Sequence, residues 1–271
     1  MAPTVVRENT SGALSFSTYK AFNSTAPTEA SHTNHRYKLE GKTPLQALSH
    51  KVITLQGYVE GISGYISTNP LSIHFGLLKI RDIVLVNLDG EVISDNHVRP
   101  PNSAGFLIHA SIHKAHPDVH TICYNHSIYG KGWSVFERRL EMLTRDACKF
   151  YGSAQGVYNG YGGLMLGSEE GDRITQALEP FGKGYMLRNH GLLTVRQTVD
   201  EAGFLFTSME TSCRVQLLAN TAAISASIPK VLISDREAKF NFDVKGDPEV
   251  CYCEFQVYYD LEEQLGVSSF D

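Results

Sequence analysis

The stretch "NSAGFLIHASIHKAHPDVHTICYNHS", residues 102–127, contains the two patterns on which the predicted fold rests. Its first half predicts a helix that ends at His116-Pro117, because the residue before a proline avoids helical backbone angles. Its second half, "DVHTICYNH", is typical of a strand and ends in a polar tip at His126. The stretch therefore predicts a helix followed by a strand, with polar side chains at the strand's end.

Helices and strands alternate on both sides of this stretch. Upstream, "IRDIVLVNLDGEVIS" indicates a hairpin with its turn at Asp89-Gly90. Downstream, "GYMLRNHGLLTV" indicates two short strands that meet at the Asn189-His190-Gly191 turn. Thr198 to Glu201 form a capping box that opens a helix to about residue 223. This alternation predicts a three-layer α/β/α domain.

Four further helices are predicted from spacing and capping residues. They cover "LQALSHKVITLQGYVEG" at 45–61, "GWSVFERRLEMLTRDACKF" at 132–150, a segment from Ser168 to about Leu178, and "FQVYYDLEEQLG" at 255–266. We divide the chain into an N-terminal arm over residues 1–42, a domain over 43–225, and a C-terminal extension over 226–271. The extension completes either the domain or a subunit interface.

Composition excludes several classes of function. The 271 residues carry a formal net charge of −5, and the pI is about 6.1, which argues against a nucleic-acid partner. No segment is apolar for long enough to span a membrane, and no secretory signal is evident. The five cysteines have no zinc-like spacing, so we expect buried or free thiols and a cytoplasmic protein. The glycine-rich loop at 158–171 matches no nucleotide-binding motif, so no nucleotide cofactor is expected.

The histidines are the main candidates for chemistry. Side chains two apart on a strand share a face, so His120, Tyr124 and His126 are predicted to project together. His126 at a strand end and His190 at a turn could meet at one sheet edge and begin a metal site, although zinc takes three or four protein ligands. Alternatively, each histidine is hydrogen-bonded within its own loop. His109 shares a helix face with His113 and is a further candidate for the site.

Six segments, taken in order, carry a family resemblance. They are "GISGYIS", "DIVLVNLDGEV", "NSAGFLIHASIHKAHPDV", "YNHS", "LRNHGLLTV" and "TVDEAGFLFTSMETSCRVQ". Together they resemble the class II aldolase/adducin family over residues 43–225, and most closely its adducin-like branch. The resemblance implies an α/β/α domain around a mainly antiparallel sheet. It also implies a homo-oligomer, typically a tetramer, with active sites where neighbouring subunits meet.

The resemblance also implies a set of site residues. Family aldolases hold Zn²⁺ with a His-x-His pair, a turn histidine and often a helix glutamate, and the metal polarises a carbonyl. His126 matches the second histidine of the pair and His190 the turn histidine, whereas Tyr124 stands at the first. Gly105 falls near the glutamate position, and Tyr65 replaces an asparagine of the phosphate-binding turn. The resemblance thus leaves open whether Zn²⁺ is bound by His126 and His190, with His109 or His120 as third ligand.

Three functions follow from this pattern. The first is a lyase that acts on a non-phosphorylated carbonyl compound, with a metal held by His126, His190 and an auxiliary histidine. Its catalytic candidates are Tyr124, His126, His190 and His109. The second is a metal-free cyclase or dehydratase of specialised metabolism that uses the same pocket. The third is a non-catalytic, adducin-like assembly protein. The residues alone do not separate the three.

Overall fold

A seven-stranded mixed sheet is the centre of the described structure. The computed structural model describes residues 55–59, 65–73, 80–93, 99–160, 168–178 and 182–264. The strands are β1 (Leu55–Val59), β2 (Tyr65–Thr68), β3 (Val84–Asn87), β4 (Thr121–Asn125), β5 (Gln155–Tyr158), β6 (Gly184–Leu187) and β7 (Gly191–Arg196). Their order across the sheet is β3-β2-β1-β4-β7-β6-β5.

The strand pairing makes the sheet mixed rather than uniformly antiparallel. β5 pairs with β6 in parallel, and the other described pairs are antiparallel. A parallel pair needs a crossover connection, and a helix supplies it here between residues 158 and 184. The predicted α/β class is confirmed.

Six helices of the described chain flank the sheet. They are α1 (Ser103–Ala115), α2 (Ile128–Ser134), α3 (Ser168–Ala177), α4 (Val199–Ala226), α5 (Asp235–Lys245) and α6 (Pro248–Gln264). Capping residues define two of the helix starts: the Thr198 hydroxyl accepts from the Glu201 N–H, and Ser234 forms a reciprocal capping box with Glu237.

The two faces of the sheet pack against different helices. On one face, side chains of β4, β6 and β7 form a buried cluster with Ile108 and Ile112 of α1 and Ile174 of α3. On the other face, the Thr194 hydroxyl of β7 donates to the main-chain carbonyl of Ala202 in α4. Because strand side chains alternate between faces, Ile122 and Tyr124 of β4 both belong to the first cluster.

Most of the predicted elements near the central stretch are confirmed. The structure contains the helix and strand of residues 102–127, the two strands around His190, the helix from Ser168 and the helix that Thr198 caps. The last predicted helix is also present and begins earlier, at Pro248. The five cysteines are free thiols, of which four are buried and Cys253 is half-buried.

Two predicted helices are wrong. The first was predicted over 45–61, but residues 55–59 form strand β1, because pairing with β2 and β4 overrides the helical spacing of apolar residues. Residues 45–54 of that prediction lie outside the described residues. The predicted helix over 132–150 stops at Ser134 and resumes only as a 3₁₀ turn at Ala147–Phe150.

Side-chain amides explain why the second helix is interrupted. The Gln155 amide accepts from the Leu140 N–H at 2.7 Å and donates to the Leu140 carbonyl at 3.0 Å. The Gln216 amide makes the same pair of bonds with the main chain of Glu141, at 3.0 and 2.6 Å. Both glutamines are buried, so these tertiary bonds replace the helical bonds that the spacing predicted.

The predicted division into arm, domain and extension stays a prediction. Residues 1–42 lie outside the described residues, and the C-terminal extension contains α5 and α6. Among the described residues, no helix is both long enough and apolar enough to cross a membrane.

Gly191→Ala is expected to destabilise the fold, because a Cβ at this position would lie 2.4 Å from the main-chain oxygen of Asn125. That oxygen belongs to β4, next to the strand pairing, and cannot move aside as a flexible side chain would. We expect a loss of about 1–3 kcal/mol in the free energy of unfolding, measured by urea denaturation.

Gly132→Ala is the matched control. Its Cβ would meet only the tip of the Leu217 side chain, at 3.3 Å, within helix α2. We expect no loss of stability, or a small gain from the lower entropy of the unfolded chain. Equal destabilisation by the two substitutions would contradict the proposed close approach at Gly191.

Candidate active site

The phenol of Tyr124 lies between two imidazoles where strand β4 ends and strand β7 begins. Its hydroxyl oxygen is 2.6 Å from His126 Nε2 and 2.6 Å from His190 Nε2. The two imidazole rings are also close to each other, with centroids 4.7 Å apart. The structure thus brings together the three residues that the sequence singled out, and we call them the Tyr-His-His cluster.

Strand pairing places these residues together. β4 and β7 are antiparallel neighbours, with Asn125 opposite Leu192, so the end of β4 meets the beginning of β7. His126 follows β4 directly, and His190 precedes β7 in the tight turn from β6. That turn requires a positive φ of 54° at Asn189, a conformation that asparagine tolerates better than most residues.

The hydrogen bonds constrain the protonation of the cluster. A hydroxyl has one proton, so the Tyr124 O–H donates to one Nε2 and accepts from the other. When both imidazoles are neutral, one therefore has an unprotonated Nε2 and the other carries its proton on Nε2. The cluster contains a base and two acids within hydrogen-bond distance of one another.

Burial adjusts the acidity of the cluster. Tyr124 is only 6% exposed, and desolvation raises the pKa of its phenol far above the usual value, so the phenol stays neutral. His126 is on the exposed side of the cluster. Partial desolvation, and secondarily the nearby Lys131 ammonium, lower the pKa of His126 below its ordinary value of 6.5. The His126 imidazole is accordingly neutral at pH 7 and able to accept a proton.

A glutamate that the sequence analysis did not identify holds the segment after His126. The Glu210 carboxylate, on α4, accepts from the Ser127 hydroxyl at 2.5 Å and from the N–H groups of Tyr129 and Gly130 at 3.0 and 2.7 Å. These bonds anchor the first turn of α2 beside the cluster. Glu210 lies in the segment 198–216 that carries part of the family resemblance, but nothing in the sequence indicated that its carboxylate reaches residues 127–130.

The structure does not bring the other candidate histidines to the cluster. His109 is 1% exposed on α1; its ring lies near His113, and neither of its ring nitrogens has a hydrogen-bond partner. His120 precedes β4, whereas His126 follows it. The five residues of β4 lie between them, and six steps along a strand span about 20 Å, so these two histidines cannot share one metal ion. Gly105 is buried in the first turns of α1, and the Tyr65 side chain lies outside the described residues.

The donors at the cluster are fewer than zinc requires. Structural and catalytic zinc sites use three or four protein ligands, drawn from cysteine, histidine and carboxylate side chains. Across the described ranges, no three such residues are grouped so that they could hold a metal ion. Two imidazoles and a neutral, buried phenol do not fit a zinc site by themselves.

Comparisons with known proteins agree with the fold. The family described as Class II Aldolase and Adducin N-terminal domain matches residues 45–217. Over 202 residues the chain is 36% identical to the meiotically up-regulated gene 14 protein of Schizosaccharomyces pombe, covering 70% of this chain and 76% of that protein.

Two further proteins are similar to the chain. A 4-hydroxy-3-prenylphenylpyruvate oxygenase/4-hydroxy-3-prenylbenzoate synthase of Streptomyces roseochromogenus is 41% identical over 161 residues, which cover 59% of this chain and only 57% of that protein. The structure of an L-fuculose 1-phosphate aldolase from Glaciozyma antarctica aligns with a TM-score of 0.72 and 30% identity. The alignment covers 83% of this chain and 89% of the aldolase.

Titration of His126 should give a pKa below 6.5, and Lys131→Met should raise it by removing the nearby positive charge. Since the pKa is lower in the folded than in the unfolded chain, protonation opposes folding. Stability is therefore retained above about pH 6.5 and falls as the pH drops below it. Heteronuclear NMR of the imidazole resonances measures the shift.

Lys114→Met is the control for this titration, because Lys114 is an exposed lysine on α1 that exerts no resolved effect on His126. A His126 pKa at or above 6.5, or an equal response to both substitutions, would contradict the described environment.

Proposed function

Because the chain belongs to the class II aldolase and adducin family, we propose that it is an acid–base lyase acting beside the carbonyl group of a small, non-phosphorylated substrate. Tyr124, His126 and His190 are its catalytic residues in this proposal. The observation that supports it is the pair of 2.6 Å hydrogen bonds from one phenol oxygen to two imidazole Nε2 atoms.

The cluster supplies the groups that such a reaction needs. The imidazole with the unprotonated Nε2 takes a proton from the carbon beside the substrate carbonyl, or from a hydroxyl one carbon further away. In the second case the carbon–carbon bond breaks, and its electron pair forms an enolate on the carbonyl fragment. The phenol O–H, or the Nε2–H of the other imidazole, donates to the enolate oxygen.

The base in this scheme is an imidazole rather than a phenolate. Burial raises the pKa of Tyr124, so ionising the phenol is costly, whereas the lowered pKa of His126 favours the neutral imidazole at pH 7. The proton then returns to carbon from the imidazolium, which restores the cluster. No step of this scheme requires a metal ion, in line with the short donor set.

We propose an aromatic 2-oxo acid as the substrate class. The Streptomyces relative is named for a prenylated phenylpyruvate, which is a non-phosphorylated carbonyl compound with a carboxylate. In this chain, Lys131 provides a positive charge close to His126 that could attract such a carboxylate. A class of this kind agrees with the expected setting in specialised metabolism.

The proposal includes a homo-oligomer, as the family resemblance implies. Exposed apolar side chains follow the cluster directly: Ile128 is 77% exposed, and Val135 and Phe136 are each about half exposed. A neighbouring subunit that covered them would also enclose the cluster. Light scattering of the purified protein should give a mass of at least twice the 30.0 kDa of one chain. A mass of one chain would contradict this part of the proposal.

Two other functions remain candidates on specific grounds. A cyclase or dehydratase would use the same acid–base cluster and differ in its product, which has lost water or closed a ring. An adducin-like assembly protein agrees with the family match, which includes adducin domains. The exchange experiment below separates both enzymes from the assembly protein, and product analysis separates the two enzymes.

Exchange of carbon-bound protons tests the acid–base cluster without knowledge of the complete reaction. The protein should accelerate deuterium incorporation at C3 of 4-hydroxyphenylpyruvate in D₂O, followed by proton NMR against a protein-free reference. Tyr124→Phe should slow this exchange by roughly 10²- to 10⁴-fold, the usual contribution of one acid–base group. Tyr258→Phe, on partly exposed α6 surface, is the matched control and should leave the rate unchanged.

Metal analysis of untagged protein accompanies the exchange experiment. We expect exchange to survive exhaustive treatment with a chelator. The metal-free scheme would be wrong if the wild-type protein held one zinc per chain, and if His126→Ala and His190→Ala each lost both the zinc and the deuterium exchange. Wild-type protein that folds and assembles but exchanges no substrate of this class would favour the assembly protein.

A further inference from the structure

A cavity lies at the opposite end of strand β7 from the Tyr-His-His cluster. It has a volume of about 610 Å³, within the range of small-molecule sites. Its floor consists of Val119, Leu178, Tyr185 and Val195, all of which belong to the buried cluster between the sheet and helices α1 and α3. The cavity is therefore an apolar depression that reaches the core.

A buried ammonium group lines this cavity. Lys183 is only 8% exposed, and its Nζ donates to the main-chain carbonyl of Gly246 at 2.5 Å and lies 4.9 Å from the centre of the Phe242 ring. An ammonium has three donors. In the described part of the chain, no carboxylate lies within ion-pair distance of Lys183, so the carbonyl of Gly246 satisfies one donor and the ring face adds a cation–π contact.

A second buried cation lies beside the first. Arg196 lines the cavity, pairs with Glu201 at 2.9 Å through Nε, and donates from an Nη to the Gly182 carbonyl at 3.1 Å. Its other Nη is buried without a hydrogen-bond partner. Lys183 and Arg196 are close enough to repel each other, and Glu201 is the one carboxylate in contact with either among the described residues.

Two further carboxylates lie near the cavity, but neither makes an ion pair with Lys183. Asp118 lines the wall, and Asp247 attracts Lys183 from beyond ion-pair distance. Lys239 is an exposed residue of the rim and is paired with Asp243. A buried ammonium whose donors are not all satisfied is costly, so the site favours an added acceptor, and a carboxylate above all. A purely structural role, in which Lys183 ties Gly246 to β6, explains its hydrogen bond but neither the open donors nor the cavity.

We propose that this cavity binds a small carboxylic acid with an apolar, preferably aromatic, body. The carboxylate accepts from the open donors of Lys183 and is further attracted by Arg196. The apolar body covers Val119, Leu178 and Val195. One buried ammonium with open donors above an apolar floor favours a monoanionic carboxylate over a phosphate ester, which brings two negative charges.

This site is separate from the Tyr-His-His cluster. Gly191 and Arg196 are the two ends of strand β7, and five steps along a strand span about 17 Å. A ligand in the cavity thus leaves His190 and Tyr124 accessible. The inference does not depend on the proposed lyase activity.

Binding of 3-phenylpropionate to the full chain, measured by isothermal titration calorimetry, tests the proposal. We expect saturable binding of 3-phenylpropionate to the wild-type protein. The neutral 3-phenylpropionamide should bind at least tenfold more weakly. Lys183→Met should also bind 3-phenylpropionate at least tenfold more weakly, because one charge-assisted contact is lost. Lys239→Met, at the rim, should change the affinity by less than about twofold. Tyr124→Phe should leave it unchanged, which distinguishes this site from the catalytic one.

Hydrogen exchange of the wild-type protein locates the site independently of any variant. Saturation with 3-phenylpropionate should protect amides in residues 182–185, 195–197 and 239–248 and leave those in 123–130 and 188–192 unaffected. Absence of binding, equal affinity for acid and amide, or protection confined to 123–130 would each overturn the proposal. If Lys183→Met does not fold, the exchange pattern of the wild-type protein decides.

Discussion

The antiparallel pairing of β4 with β7 is the constraint on which the rest of the site depends. Asn125 lies opposite Leu192, and the main-chain oxygen of Asn125 approaches Gly191 so closely that a side chain there would collide with it. This register places the residue after one strand next to the residue before the other. A shift by one residue would turn Tyr124 and His126 together away from His190, because neighbouring side chains on a strand face opposite sides.

The phenol of Tyr124 connects the core to the site chemistry. Its ring packs within the buried cluster under α1 and α3, while its hydroxyl reaches the two imidazoles at the sheet edge. Packing therefore fixes the position of the oxygen, and burial keeps it protonated. The family resemblance implies a zinc-binding histidine at this position, where this chain has a hydroxyl that donates one hydrogen bond and accepts another. In the proposed function this hydroxyl is an acid–base group.

The two ends of the same strands carry different chemistry. The end next to His126 and His190 is polar and partly open, with the Lys131 ammonium nearby and Glu210 anchoring the adjoining helix. The other end is an apolar cavity lined by the cationic side chains of Lys183 and Arg196. Both ends depend on elements far away in sequence: Glu210 comes from α4, and Gly246, which accepts from Lys183, comes after α5.

The sequence by itself determined the local features of the site. Alternation along a strand placed Tyr124 and His126 on one face, and the Asn-His-Gly turn located His190, since strand period and turn chemistry are properties of short segments. Only the tertiary structure decided what depends on distant partners. Gln155 and Gln216 bond to the main chain at Leu140 and Glu141 and interrupt a segment whose spacing is helical. Pairing with β2 and β4 makes a strand of residues 55–59. His109 and His120 are also histidines, but they do not lie at the site. The packing of α1 and the length of β4 keep them away from Tyr124, and the spacing of histidines in the sequence does not show this.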